Sequence, residues 1–208
     1  MLRGLPAKVA LSCLGFILTT TPAAAEWHFT PLIGVTFRGE TSLFDLEEAA
    51  GLKHKTFGGA VRWVGSGIFG VEAVGLWIPG FFGNDNREGV ASGITDFVKE
   101  SRVISLMGNV VVTAPQRWTE YNLRPFISGG VGIIRPRSTD FNNITAFDKS
   151  FNGFNLGGGA VGFLSQRTGV RFDLRYHRTM RGLRTEDYSI GPVRLQYMTA
   201  SIGVVLRR

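Results

Sequence analysis

Apolar and polar residues alternate with a period of two over most of the chain after residue 25. In the first such segment, one parity is mostly large and apolar: Trp27, Phe29, Pro31, Ile33, Val35 and Phe37. The other parity is mostly polar or small: His28, Thr30, Leu32, Gly34, Thr36 and Arg38. Side chains two positions apart lie on the same face of a β-strand. The pattern therefore predicts a strand with one apolar face and one polar face.

The same alternation recurs in seven further segments. The eight predicted strands cover approximately residues 27–37, 54–65, 68–79, 100–113, 123–135, 152–165, 170–177 and 193–206. A tilted strand needs about 9–11 residues to cross a bilayer, whereas strands in soluble proteins average roughly 5–6 residues. Most of these segments are long enough to span a membrane.

The connections between the predicted strands alternate in length. Short connections follow the second, fourth and sixth strands, at residues 65–67, 114–120 and 166–167. Long connections follow the first, third, fifth and seventh strands, at residues 39–53, 80–99, 136–151 and 182–192. Outer-membrane barrels have an even number of strands, short periplasmic turns and longer external loops. The sequence thus predicts an all-β fold, an eight-stranded antiparallel up-and-down transmembrane β-barrel.

Alternation alone leaves open which face points inward, because a soluble lipocalin-like barrel has its apolar face inside. Aromatic residues near the predicted strand ends favour the membrane: Trp27, Trp63, Trp77, Trp118 and Tyr121. Aromatic side chains collect at the two edges of the apolar band of a membrane barrel. We expect these five residues to form an aromatic girdle, with the lipid bilayer of the outer membrane as the surrounding partner.

Charged residues on the polar face of the seventh predicted strand then point into the lumen. Arg171, Asp173 and Arg175 share this face, and Glu72 has the same orientation on the third strand. A buried charge without a partner is costly. The sequence predicts a structural lumen charge network of these four residues. A proton or ion path is the alternative interpretation.

The first 25 residues have the pattern of a cleaved secretory signal peptide. Arg3 and Lys8 precede a short apolar run, and Ala23-Ala24-Ala25 supplies small residues before the predicted cleavage site. We therefore expect a signal peptide over residues 1–25, one barrel domain over residues 26–208, and export to the bacterial outer membrane. The formal net charge of +7 is spread along the chain, so no clustered patch for nucleic acid is predicted.

Candidate chemistry is sparse. The histidines His28, His54 and His177 have no serine placed beside them in the pattern of a nucleophile and its base. No spacing of oxygen ligands matches a calcium loop. We predict no enzymatic activity, no metal and no cofactor. Phe81, Phe82 and Phe97, in a predicted external loop, are candidates for an external contact surface.

The signal peptide, the opening strand, the segment from Pro125 to Gly132 and the alternating final strand resemble the outer-membrane β-barrel domain family. That family contains small OmpA-type and OmpX-type eight-stranded barrels. The resemblance covers the mature chain and implies a membrane barrel. One departure concerns the end of the chain: members usually end in an aromatic residue that the outer-membrane assembly machinery recognises, whereas this chain ends in Leu206-Arg207-Arg208.

A fold alone does not determine function. The leading hypothesis is a structural or surface-interaction role, in which the long loops contact an external protein or surface ligand. The alternatives are a narrow solute or ion pore, a lipid-modifying enzyme at the barrel rim, and a soluble lipocalin-like binder.

Overall fold

The structure is a computed structural model that describes residues 26–41, 53–65, 67–81, 98–115, 123–140, 147–148, 150–180 and 194–208. These residues form nine strands: β1 (Glu26–Thr41), β2 (His54–Val64), β3 (Phe69–Pro79), β4 (Val98–Thr113), β5 (Leu123–Asp140), β6 (Phe147–Asp148), β7 (Phe151–Phe163), β8 (Thr168–Thr179) and β9 (Leu195–Arg207). Within these ranges, no helix is long and apolar enough to cross a membrane.

The eight long strands close into a barrel. Each is antiparallel to the next long strand, and β5 pairs with β7. Strand β1 also pairs with β9, where Leu32 lies opposite Gly203. The two-residue strand β6 pairs only with β5, at Arg137 and Ser138. The eight-stranded, antiparallel, up-and-down barrel predicted from the sequence is therefore confirmed.

The apolar parity of each long strand faces outward. Ile127 on β5 and Leu156 on β7 are each 64% exposed, and large apolar side chains cover the outer face of every other long strand. An apolar belt of this extent is stable only where lipid covers it. The polar parity lines the lumen, which is the reverse of a lipocalin-like barrel.

Two short turns and both ends of the described chain lie at the same end of the barrel. In the turn after β7, the Ser165 hydroxyl accepts hydrogen bonds from the amides of Arg167 and Thr168, at 3.3 and 3.1 Å. Beside it, Trp27 and Arg208 exchange backbone hydrogen bonds. We call this end periplasmic and the opposite end external, because short turns face the periplasm in such barrels.

Several strands extend beyond their predicted limits at the external end. Strand β1 continues through a register shift between Phe37 and Glu40, where Arg38 has a positive φ of 52°. This bulge breaks the alternation, so the sequence pattern ends before the strand does. Strand β5 continues through Pro136, with which no residue of β6 or β7 pairs. The proline has no backbone N–H, and on this side of β5 no hydrogen bond to β6 or β7 is lost.

Side chains fill the described lumen in layers. Near the periplasmic end lies an apolar cluster of Val111, Phe126, Val161 and Val205. Leu32, Ala60, Val74 and Leu76 pack together on the wall formed by β1, β2 and β3. The third cluster, which we call the external plug, consists of Ile78, Phe81, Val103, Met107, Ile134, Leu195 and Tyr197. Charged residues occupy the level between the periplasmic cluster and the external plug.

Candidate functional site

Five charged side chains meet in the middle of the lumen. They are Arg62, Glu72, Arg171, Asp173 and Arg175, each at most 5% exposed. We call them the central charge cluster. The structure thus brings together the four residues of the predicted network and adds a third arginine.

Glu72 is bound by all three arginines. Its Oε2 accepts hydrogen bonds from Arg62 Nε at 2.9 Å and from Arg171 Nη1 at 2.5 Å. Its Oε1 accepts one from Arg175 Nη2 at 2.5 Å. Charge-assisted bonds of this kind are stronger than neutral ones. A single carboxylate therefore holds three guanidinium groups in place.

Asp173 binds the two arginines on its own strand. Its Oδ2 accepts a hydrogen bond from Arg171 Nε at 3.0 Å, and its Oδ1 accepts one from Arg175 Nε at 2.7 Å. This arrangement follows directly from strand geometry, since residues at every second position project to the same face. Strand β8 therefore carries an arginine–aspartate–arginine row into the lumen.

The cluster ties opposite walls of the barrel together. Strands β3 and β8 lie four strands apart in either direction around the ring. Even so, Arg171 and Arg175 on β8 reach Glu72 on β3. An eight-stranded barrel is narrow enough for side chains to fill its interior. The bonds therefore bridge the lumen at this level.

Arg62 is the member of the cluster that the sequence analysis missed. It lies directly opposite Glu72 in the β2–β3 ladder. Its guanidinium carbon is 4.1 Å from the centre of the Phe126 ring, and that of Arg171 is 4.8 Å from the same centre. The available signal was parity, since Arg62 lies between the outward-facing Val61 and Trp63 and so points into the lumen.

The external plug lies in the lumen above the charges. The ring centres of Phe81 and Tyr197 are 5.7 Å apart, and the Tyr197 ring stacks on His177 at 4.8 Å. His54 contacts Phe81 from β2, with ring centres 5.3 Å apart. The expected external contact surface is wrong for Phe81, which is fully buried because it folds back over the barrel mouth. Phe82 and Phe97 lie outside the described residues.

Comparison with known proteins identifies the fold. No protein-family model matches the chain, and no curated protein matches its sequence. Among solved structures, Neisserial surface protein A matches with a TM-score of 0.55 and 10% identity, over 87% of this chain and 98% of that one. OprG from Pseudomonas aeruginosa matches with a TM-score of 0.58 and 12% identity, over 90% and 97%. A major outer membrane protein from Thermus thermophilus gives 0.53 and 15%, over 89% and 100%.

The fold is that of a small outer-membrane β-barrel. This likeness agrees with the outer-membrane location and with the resemblance seen in the sequence. Two features of the structure agree with this likeness, the closed ring of eight long strands and the outward apolar belt.

Three of the five predicted girdle residues lie on the outer face of this outer-membrane barrel. Trp27 and Trp63 pair directly across β1 and β2 at the periplasmic end. Trp77 lies near the external end, with its ring centre 5.8 Å from that of Phe57. Trp118 and Tyr121 lie outside the described residues. The three tryptophans are thus placed at both edges of the apolar belt, where such side chains are typical.

The histidines of the barrel line the lumen. His177 is fully buried between Tyr197 and Thr199, and His28 packs edge-on against Phe163 at the periplasmic end. His177 is thus enclosed within the lumen. Among the described residues, no group of three His, Cys, Asp or Glu side chains is placed to hold a metal ion.

Proposed function

We propose that this protein is a sealed outer-membrane scaffold that presents the connections at its external end to partners outside the cell. The observation that carries the proposal is the filled lumen. The central charge cluster bridges β3 to β8, and the external plug lies above it. A barrel blocked at two levels is suited to anchoring rather than to transport.

The arrangement of the connections supports the second half of the proposal. The turns joining β2 to β3 and β7 to β8 span only a few residues. The connections after Thr41 and Pro79 are much longer, and both leave from the external end. Binding residues are found disproportionately on loops held by a rigid framework. We therefore assign recognition of an external protein or surface ligand to these connections and assign no catalytic role.

The apolar outer belt supports residence in the outer membrane after export through the predicted signal peptide. We further propose that the assembly machinery recognises the alternating strand β9, whose outward face carries Ile202, Val204 and Leu206.

Surface labelling of intact cells tests the proposed presentation. An epitope tag is inserted between residues 45 and 46, in the connection after β1. The matched control carries the same tag between residues 118 and 119, after β4. We expect antibody to label the first variant on whole cells and the control only after the outer membrane is opened. Labelling of the control alone would reverse the orientation and overturn the proposal.

Conductance across a planar bilayer tests the sealed lumen. The purified barrel is expected to give no ion current, because neither the central charge cluster nor the external plug leaves an open path. Stable single-channel steps from the wild-type protein would instead favour the narrow pore. Analysis of lipids extracted from expressing cells addresses the rim enzyme, and an unchanged lipid profile is expected.

A further inference from the structure

The central charge cluster carries one more positive than negative charge. Three guanidinium groups, on Arg62, Arg171 and Arg175, face two carboxylates. Glu72 and Asp173 are the only carboxylates buried among the described residues. Arginine stays protonated in proteins, and protonation of a lumen histidine would only add positive charge. A buried charge that lacks a counter-ion is strongly disfavoured.

Several hydrogen-bond donors of the described residues are buried in the lumen without a partner. Arg175 Nη1 is buried and has no hydrogen-bond partner. Arg62 Nη2 lies 2.8 Å from Glu72 Oε2 but is not aligned to donate to it. The Asn109 Nδ2 donor is likewise buried without a partner. Buried polar groups in native proteins are nearly always satisfied, so these donors indicate an acceptor in the lumen.

The strand register places a further unpartnered hydroxyl on the neighbouring wall. Arg175 on β8, Gly157 on β7 and Ser128 on β5 form one continuous row across the sheet. A Cβ on Gly157 would lie 2.5 Å from Arg175 Cγ, so the Arg175 side chain packs against the glycine where another residue would have a side chain. Ser128 Oγ is buried without a partner. Asn109, on the adjacent strand β4, lies only two positions out of register with Ser128.

The nearby aromatic ring does not supply the missing negative charge. Phe126 lies against the guanidinium groups of Arg62 and Arg171. A ring face attracts a cation through its quadrupole and carries no net charge. The ring therefore eases the packing of two arginines and leaves the imbalance of one charge in place.

We propose that the lumen binds one small monovalent anion of the halide class beside Arg175 Nη1, with Ser128 Oγ and Asn109 Nδ2 as further donors. One negative charge would balance the cluster, whereas a multivalent anion would overcompensate it. A spherical anion accepts hydrogen bonds from any direction, which suits donors on three different strands. The proposal concerns the lumen and does not depend on what the external connections bind.

Bromide replaces chloride as the probe, because its position is visible by anomalous X-ray scattering. Crystals of the detergent-purified barrel grown in bromide are expected to show one lumen peak in hydrogen-bonding contact with Arg175 Nη1. Ordered water at that position, without anomalous signal, would overturn the proposal.

Arg62→Gln provides the decisive variant, because it removes the excess charge and keeps Arg175, Ser128 and Asn109. We expect the bromide peak to be lost. We also expect the wild-type unfolding temperature to rise in chloride relative to isethionate at equal ionic strength, and the variant to lose that difference. Lys55→Gln is the matched control, since it removes one exposed positive charge from the outer face and should keep the wild-type response.

Ser128→Ala keeps the proposal testable if Arg62→Gln does not fold. This variant leaves every charge in place and removes one proposed donor. We expect severalfold weaker dependence of the unfolding temperature on chloride concentration. A response identical to that of the wild type in whichever of the two variants folds would show that the lumen holds no such anion.

Discussion

The side-chain amide of Asn155 donates a 2.7 Å hydrogen bond to the side-chain carbonyl of Asn109 across the strand that separates them. Gly130 on β5 is in register with both residues. A Cβ there would lie 1.9 Å from the carbonyl oxygen of Gly108 and 2.5 Å from Asn109 Oδ1. The absence of a side chain at Gly130 thus allows strands β4 and β7 to bond to each other inside the lumen.

Gly130→Ala is expected to destabilise the barrel. The new methyl group collides with backbone that cannot move freely, and overpacking of this kind costs typically about 1–3 kcal/mol. The midpoint of heat unfolding, followed as the mobility shift between unboiled and boiled samples, measures the effect. Gly129→Ala is the control, because its Cβ would meet Leu156 Cδ1 at an ordinary 3.5 Å. Equal midpoints for the two variants would contradict the packing argument.

Glu72→Gln is expected to be among the most destabilising single changes in the lumen. It removes the carboxylate that binds three arginines, and breaking a buried ion pair by removing one partner costs about 3–5 kcal/mol. Urea unfolding in lipid vesicles, monitored by tryptophan fluorescence, gives the free energy of unfolding.

Glu40→Gln is the matched control for this change. Glu40 is exposed at the external end, where it accepts a hydrogen bond from Gln196. Exposed polar contacts contribute about 0–1 kcal/mol, so its free energy of unfolding should stay close to the wild-type value. A comparable loss of unfolding free energy in both variants would mean that the central charge cluster contributes no more to stability than an exposed polar contact.

The loss of stability caused by an arginine on the outer face should depend on the depth of that residue in the bilayer. Leu156 lies near the middle of β7, and Phe69 begins β3 at the periplasmic end. For membrane barrels, a lipid-facing arginine costs about 2–4 kcal/mol at the bilayer midplane and about 0–1 kcal/mol near the interfaces. Leu156→Arg should therefore lower the free energy of unfolding in vesicles far more than Phe69→Arg. Equal, small effects would show that this face does not contact lipid.

Phe81→Ala tests the external plug. Removing a buried phenylalanine costs about 3–5 kcal/mol, and its contacts with His54 and Tyr197 are lost. Phe57→Ala on the outer face should cost less, because lipid fills the space that it leaves. We expect no ion current from the Phe81 variant, since the central charge cluster still bridges the lumen. A current would show that the plug alone seals the barrel.

Side-chain parity explains why so much of the barrel could be predicted from the sequence. Once β8 is recognised as a strand with Phe172 outside, Arg171, Asp173 and Arg175 must point inward. In a lumen only eight strands wide, such charges must meet partners. The number of long strands and the network around Glu72 therefore follow from the local alternation, together with the closure of the sheet into a barrel between β1 and β9.

The remaining features depend on contacts that local pattern does not encode. Arg62 joins the cluster through its register with Glu72, and register across a predicted turn is uncertain by a residue or more. Phe81 is buried because the chain turns back over the barrel mouth, and an apolar residue outside the alternation carries no sign of that turn. The bulge at Arg38 and the two-residue strand β6 arise from backbone pairing beyond the segments in which apolar and polar residues alternate.

The bridge from Glu72 to β8 also bears on the order in which the barrel assembles. The hairpin of β2 and β3 carries Arg62 and Glu72 as a neutral pair, so it can approach a bilayer before the rest of the chain is in place. Strand β8 lies nearly a hundred residues later in the sequence. It carries two arginines and one aspartate, so its row of charges is only partly neutralised within the strand. The two pieces gain their strongest mutual contacts only when the circle of strands closes. The cluster therefore stabilises the closed barrel relative to partly assembled hairpins, because the bonds from β8 to Glu72 form only when all eight long strands are in place.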